Sequence, residues 1–279
     1  PEIAEYDAAL KSPLGMVFYV PAEEEVATQE KQCWELIYIV QRLVARGSSG
    51  RMVLVCPASS TCSALVTGAS KAIPLEFPEL SVQRVHVPEG IDLLRSGGVY
   101  GSIGSVTNGY LMWLASIAAS RPSETDLWLD ASSPHALRVP RLVPRRQLPP
   151  SGNPAVDPRG IYLISGGSGG VGGALIAWLL YEQNVPPPNI VLISRRDITP
   201  PHAGVTCVKA DMSSAASLSG CQALCSLPEV SGIFHLAGVL DDGLLVNMTP
   251  RRLHAAVAPK AGVLTLLELC QAQRWRPRW

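Results

Sequence analysis

Apolar positions along this chain follow two alternating rhythms. Short runs rich in β-branched residues occur at GMVFYVP (15–21), RMVLVC (51–56) and SVQRVHV (81–87), and each reads as a strand. Between them, residues 28–46 carry Trp34, Leu36, Ile37, Val40, Leu43 and Val44 at helical spacing until Gly47 to Gly50 ends the pattern. Residues 64–73 and 110–119 suggest two more helices, and residues 127–129 and 136–142 two short strands. Strands alternating with helices predict a parallel sheet with both faces covered.

Residues 144–158 interrupt that rhythm with five prolines, a glycine and an asparagine, a composition suited to an exposed boundary. The expected division is therefore a first Rossmann-like subdomain over 1–148, a linker over 149–158 and a second subdomain over 159–279. In the second, Ile161 to Ile164, Ile190 to Ser194, Val205 to Lys209 and Ser231 to Leu236 read as strands. Ala174 to Tyr181 reads as a helix, and a longer one starts at Thr249-Pro250, with threonine as cap and proline at the first position, and runs to Gln271.

Between the first strand and helix of this half lie Ser165, Gly166, Gly167, Ser168, Gly169, Gly170, Val171, Gly172 and Gly173. Strand, glycine loop and helix together aim backbone N–H groups and a helix N-terminus at a phosphate. In that scheme Gly166 makes the tight turn, Gly170 admits a pyrophosphate to the backbone, and Gly172 allows close helix–strand packing. The following strand ends in Ser194-Arg195-Arg196. Arginine at this point suits a 2′-phosphate, as an acidic residue would suit a free ribose, so the pair favours NADPH over NADH. A solvated basic turn is the competing interpretation. Asp211, at the end of the third strand, suits either an adenine amino group or a helix N-cap. The first half offers no counterpart, because Cys56 is followed by Pro57-Ala58-Ser59-Ser60 without glycine.

Composition narrows the field. With 47% hydrophobic and 16% charged residues, the chain is too apolar for a disordered or solvated segment. The 23 basic and 23 acidic side chains balance, so no global charge field points to nucleic acid or an anionic membrane. Seven scattered cysteines without a C-x-x-C pair favour a reducing, cytoplasmic setting and no zinc site. No uninterrupted apolar run approaches the length of about 18 residues that suggests a membrane span. The opening PEIAEYD, without methionine or a basic and apolar leader, leads to the expectation of a segment from a longer polypeptide.

The second half resembles the ketoreductase domain of modular polyketide synthases, a branch of the short-chain dehydrogenase/reductases. The resemblance rests on SGGSGGVG (165–172), SRR (194–196), ADM (210–212), HLAGVLDDG (235–243) and AAVAPKAG (255–262), in order over roughly 120 residues. With LVTGASKAIPLEFPEL (65–80) and RVPRL (138–142), the first half resembles the truncated, catalytically silent subdomain that precedes it in those synthases. The implied fold is α/β, with two Rossmann-like subdomains built on parallel sheets. The first would lack a phosphate loop, and the second would be a short-chain dehydrogenase fold cut short at its C-terminus. The resemblance implies that residues 165–172 bind the NADPH pyrophosphate and Ser194, Arg195 and Arg196 its 2′-phosphate. Asp211 and Met212 would edge the adenine, and Ala237 and Gly238 would flank the nicotinamide ribose. Lys260 matches the catalytic lysine, and Leu240-Asp241-Asp242 the fingerprint of reductases giving a D-β-hydroxyacyl product, with Asp242 as the discriminating position. On physics alone Lys260 equally suits an exposed helix lysine, and Asp241 and Asp242 a solvated turn.

The implied activity is NADPH-dependent reduction of a β-ketoacyl thioester carried by an acyl carrier protein, next to neighbouring synthase domains. The family places a serine and a tyrosine after the lysine helix. Here the last serine is Ser231 and the last tyrosine Tyr181, so the chain alone is expected to lack the proton donor, worth roughly 10²–10⁴-fold in rate. The alternative from another class is a catalytically dead scaffold. A free-standing dehydrogenase would not need so large a first half.

Overall fold

The computed structural model describes residues 10–11, 15–22, 24–58, 61, 63–88, 114, 116–120, 123–130, 133–144 and 155–279. The chain divides into two compact units, residues 1–144 with 242–253, and residues 145–241 with 254–279.

In the first unit, β1 (Met16–Tyr19), α1 (Val26–Val44), β2 (Gly50–Pro57), α2 (Ala64–Glu76), β3 (Leu80–Val87), β4 (Asp126–Asp130) and β5 (Ser133–Arg138) follow in order. The sheet runs β1-β2-β3-β4-β5. The first four strands are parallel, whereas β5 is antiparallel to β4. The two residues between β4 and β5 are too few for a crossover, so the chain turns back as a hairpin. The expectation of an all-parallel sheet is amended at this edge. Leu36, Val40 and Leu43 of α1 and Val66 and Ile73 of α2 close one face of the sheet, and Leu114 and Ala118 lie on the other. Of the helix expected at 110–119, residues 114 and 116–119 are helical and the remainder lie outside the described residues.

The expected boundary at 149–158 does not anticipate that residues 242–253 return to the first unit. Leu245 is buried in its core beside Met248 and Leu253. The Gln41 side chain donates to the carbonyls of Leu245 and Met248, and the Leu245 N–H donates to the Glu76 carboxylate.

In the second unit, β6 (Ile161–Ser165), α3 (Gly170–Ala177), β7 (Ile190–Ser194), β8 (Thr206–Lys209), α4 (Ala215–Ser219), α5 (Gln222–Cys225) and β9 (Val230–His235) precede α6 (Pro250–Gln273), which begins among the residues of the first unit. The sheet order is β8-β7-β6-β9, with every pairing parallel. Chain order therefore reverses at β6, and the crevice beyond the carboxyl ends of β6 and β9 is the switch point at which such sheets bind ligands. Among the described residues the first sheet shows no such reversal. Helix α3 begins at Gly170, four residues before the expected start, and continues as a π-helical turn over Trp178–Glu182.

Helix α6 amends the reading of apolar runs. Its best 18-residue window reaches a mean hydropathy of 1.3, long and apolar enough to cross a membrane, although Lys260 and Glu268 interrupt it. Its Gly262, Leu266, Leu269 and Cys270 are buried, with the last three in the core of the second unit. The free edge of β9 is covered by residues 275–279. The Arg278 N–H donates to the Ser231 carbonyl, and the Ile233 N–H to that of Trp279. Pairing of this kind removes the exposed strand edge that invites association.

A buried ionic cluster crosses β3 and β4. Arg84, 3% exposed, donates from Nε and Nη2 to both oxygens of Asp126 at 2.7 and 2.8 Å. His86 Nε2 lies 3.3 Å from the same carboxylate, with its ring stacked on Trp128 at 4.0 Å. Burial alone would raise the Asp126 pKa, but the hydrogen bond and charge of Arg84, with help from His86 and Thr125, hold it well below the carboxylate range. Burial pushes His86 down against the pull of Asp126. Both groups have folded pKa values below their unfolded ones, so their contributions are complete above pH values of about 4 and 6.5 respectively and are lost as pH falls. Asp126→Asn would leave Arg84 buried and unpaired, and is expected to destabilise the first unit by about 3 kcal/mol at pH 7. It should also flatten the loss of stability below about pH 5. Urea unfolding at several pH values, with hydrogen exchange at β3, checks both.

Candidate dinucleotide-binding site

The glycine loop owes its shape to how closely two backbones approach. Gly166 lies at φ +71°, and a Cβ there would stand 2.6 Å from the Leu236 carbonyl carbon and 2.7 Å from the Ala237 nitrogen. Only glycine meets both conditions without strain. Gly172 also requires the absence of a side chain, but against the loop itself: its Cβ would lie 2.5 Å from Gly167 Cα and 2.6 Å from the Gly166 oxygen. The role expected for Gly172, close packing of helix on strand, is therefore corrected to packing of helix on loop. Gly170 faces open space, as a backbone meant to approach a ligand should. The Gly169 N–H donates to the Gly166 carbonyl, and the helical ladder starts with the Gly173 N–H on the Gly169 carbonyl. No side chain caps the helix, which leaves the first N–H groups of α3 and the positive end of its dipole available to an anion.

Ser165 fastens the loop to β9. Its hydroxyl lies 2.8 Å from His235 Nδ1 and accepts from the Ala237 N–H at 3.3 Å, while its carbonyl accepts from the Leu236 N–H. Ser165 is 2% exposed, so it positions the loop from behind.

Beyond these strand ends lies a cavity of about 300 Å³. It brings together Gly166, Gly167, Ser168 and Gly169 from the loop, Ser194 and Arg195 from the end of β7, Asp211 and Met212 after β8, and Ala237 and Gly238 after β9. Gly170, Val171, Gly172 and Arg196 do not line it, and Val171 points outward. The Asp211 carboxylate accepts the N–H and hydroxyl of Ser213 at 2.9 and 2.7 Å, while the cap of α4 is Ser214. Of the two jobs open to Asp211, capping is thus taken by a neighbour. The Ser213 hydroxyl bond lowers the Asp211 pKa most, with Arg195 adding to it. Met212 is buried, and the Thr265 hydroxyl donates to its carbonyl.

Helix α6 contributes Ala258 and Pro259 to the lining. Sequence reasoning passed over both, although Pro259 marks itself as a proline inside a helix, where it frees a carbonyl one turn back. Lys260 is exposed, does not line the cavity, and points Nζ at the Ala256 carbonyl 3.4 Å away. Leu240 is exposed, and Asp241 precedes the return to the first unit. Asp242 belongs to the first unit, where its carbonyl accepts from Arg252. The loop, Arg195, and Asp211 with Met212 thus meet in one place. The residues matched to catalysis do not line it.

These features fit a dinucleotide. The family model for the KR domain matches residues 160–276. The chain is 37% identical over 139 residues, 44% of its length, to the polyketide synthase GfsA of Streptomyces halstedii. It is 26% identical over 271 residues, 86% of its length, to the 6-methylsalicylic acid synthase of Aspergillus niger. It spans only 2% and 14% of those two relatives. Among solved structures, an A1-type ketoreductase matches 86% of this chain and 51% of its own, with TM-score 0.67 at 22% identity. An adenylation–ketoreductase multidomain structure from a nonribosomal peptide synthetase module matches 97% of this chain and 25% of its own, with TM-score 0.68 at 16% identity. At such identities the structural likeness speaks for the fold.

Gly166→Ala is expected to destabilise the second unit by about 2 kcal/mol or more, from left-handed strain and backbone overlap. Gly173→Ala, whose Cβ meets nothing within 4 Å, should stabilise α3 by about 0.5–1 kcal/mol. Parallel denaturation curves of the two variants check the pair.

Proposed function

We propose that this chain, whose residues 160–276 match the family model for the KR domain, belongs with the ketoreductases of the short-chain dehydrogenase/reductases and is the cofactor-holding part of a β-ketoacyl reductase in a cytoplasmic polyketide synthase. The complete reaction is NADPH-dependent reduction of a β-ketoacyl thioester, borne by an acyl carrier protein, to the D-β-hydroxyacyl thioester. One observation supports the reading above the rest: the cavity at the switch point of the second sheet is lined both by the glycine loop, residues 166–169, and by Arg195.

Gly166 to Gly169 would hold the diphosphate by backbone hydrogen bonds, with the positive end of the α3 dipole beside them. Arg195 would take the 2′-phosphate by charge-assisted hydrogen bonds. Asp211 and Met212 would edge the adenine, and Ala237 and Gly238, the latter with open space where a Cβ would stand, would admit the nicotinamide ribose. The bound cofactor supplies a hydride. A ketone that accepts a hydride becomes an alkoxide and needs a proton. Lys260 is the cation proposed to stabilise that developing charge, as the resemblance implies. With the last serine at Ser231 and the last tyrosine at Tyr181, no serine or tyrosine follows Lys260, and this chain by itself is expected to bind cofactor without turnover.

A second reading, a scaffold retained without catalysis, is favoured by the placement of Lys260 off the cavity. The two readings differ in the parent polypeptide. There, Lys260→Ala is expected to lower turnover of a β-keto thioester at least about a hundredfold, whereas a parent with no turnover supports the scaffold. Arg195→Ala is expected to weaken NADPH binding roughly ten- to a hundredfold and NADH binding hardly at all. Arg196→Ala, off the cavity, should do less. Equal losses for both cofactors would reduce the arginines to a surface turn.

A further inference from the structure

We propose that Lys209 determines cofactor specificity by neutralising Asp197, the carboxylate that follows the arginine pair, so that this turn can accept a 2′-phosphate. The inference rests on the NADPH reading above.

Strands β7 and β8 are parallel neighbours with Ser194 opposite Lys209, and the Ala210 N–H donates to the Ser194 carbonyl at 2.9 Å. Their carboxyl ends therefore open on the same rim of the cavity. The turn after β7 reads Ser194-Arg195-Arg196-Asp197, and the Arg196 N–H bonds the Ser194 hydroxyl at 3.2 Å. A carboxylate immediately beyond two guanidiniums is a poor neighbour for a phosphate dianion. Here it is held aside: Lys209 Nζ lies 2.7 Å from Asp197 Oδ2. Arg195 and Ile198, on either side of the aspartate in sequence, line the cavity, whereas Asp197 does not.

The charges decide the sign. Arg195, Arg196 and Lys209 stand against Asp197 and Asp211, leaving the rim one positive charge. Without Lys209 the four remaining groups cancel, and the ion pair that engages the Asp197 carboxylate is lost. Fold stability does not account for the pair, because its side chains are 59% and 83% exposed and such ion pairs contribute little. Nor does the strand register require it, since backbone bonds already set that. NADH offers neutral hydroxyls where NADPH carries the phosphate, so the effect should fall on one cofactor alone. Screening over about 8 Å at physiological salt makes it strongest at low ionic strength.

The test is fluorescence titration of the full chain with NADPH and with NADH, for the native protein, Lys209→Met, Asp197→Asn and the double variant. Lys209→Met is expected to weaken NADPH about tenfold, and more at low salt, with NADH within about twofold. The double variant should recover NADPH affinity to within about twofold of native, because no carboxylate then remains to be neutralised. Unchanged NADPH affinity in Lys209→Met overturns the inference while leaving the cofactor reading intact. So does a double variant as weak as Lys209→Met, which would mean that the lysine touches the phosphate itself, and so does an equal loss of NADH. A native protein without preference for NADPH overturns the cofactor reading and this inference with it.

Discussion

The second unit depends on the contact between two backbone segments at the ends of β6 and β9. A Cβ at Gly166 would fall 2.6 Å from the Leu236 carbonyl carbon, so the turn leaving β6 can lie on the turn leaving β9 only where there is no side chain. Ser165 holds the same junction with three hydrogen bonds to residues 235–237. Because β7 and β9 flank β6 on opposite sides, their connections leave the sheet in opposite directions and open a crevice above this contact. The glycine loop then floors that crevice. Parallel pairing, reversal of strand order and one left-handed glycine make a concavity before any charged group is considered.

Charge is added at the rim. Arg195 lines the cavity beside Asp211, whose carboxylate accepts two hydrogen bonds from Ser213. The first unit uses its ionic groups differently. Arg84, Asp126 and His86 saturate one another inside the sheet, with Trp128 stacked over the imidazole. Its strand order runs without reversal among the described residues, and no glycine follows Cys56 before Thr61. The same alternating architecture therefore yields a candidate binding site in the second unit, where the glycine loop and the reversal of strand order coincide.

Much of this was legible in the sequence for a local reason. Strands β6 and β7 are nearly continuous apolar runs, and the loop and arginines are marked by residue types with few other uses. What was missed lies in longer-range relations. Residues 242–253 return to the first unit through Leu245, Met248 and Leu253, although a short apolar set after a polar turn carries no address. Helix α3 starts inside the glycine run, against helix propensity, because Gly172 must approach the loop. The roles of Pro259 and Ser213 at the cavity, and the partnership of Lys209 with Asp197 across twelve residues, emerge only when strand ends are brought to one rim. Lys260 shows the opposite case: its motif is legible, but its ammonium rests on its own helix.

The central claim is that this crevice grips the diphosphate of a phosphorylated nicotinamide dinucleotide. Titrating the full chain with NADPH while following nicotinamide fluorescence, then displacing it with adenosine 2′,5′-bisphosphate, tests that claim most directly. The account expects a saturable signal that the competitor abolishes and that adenosine 5′-monophosphate displaces far less well. A folded protein giving no saturable signal, or one displaced equally by both competitors, would contradict it.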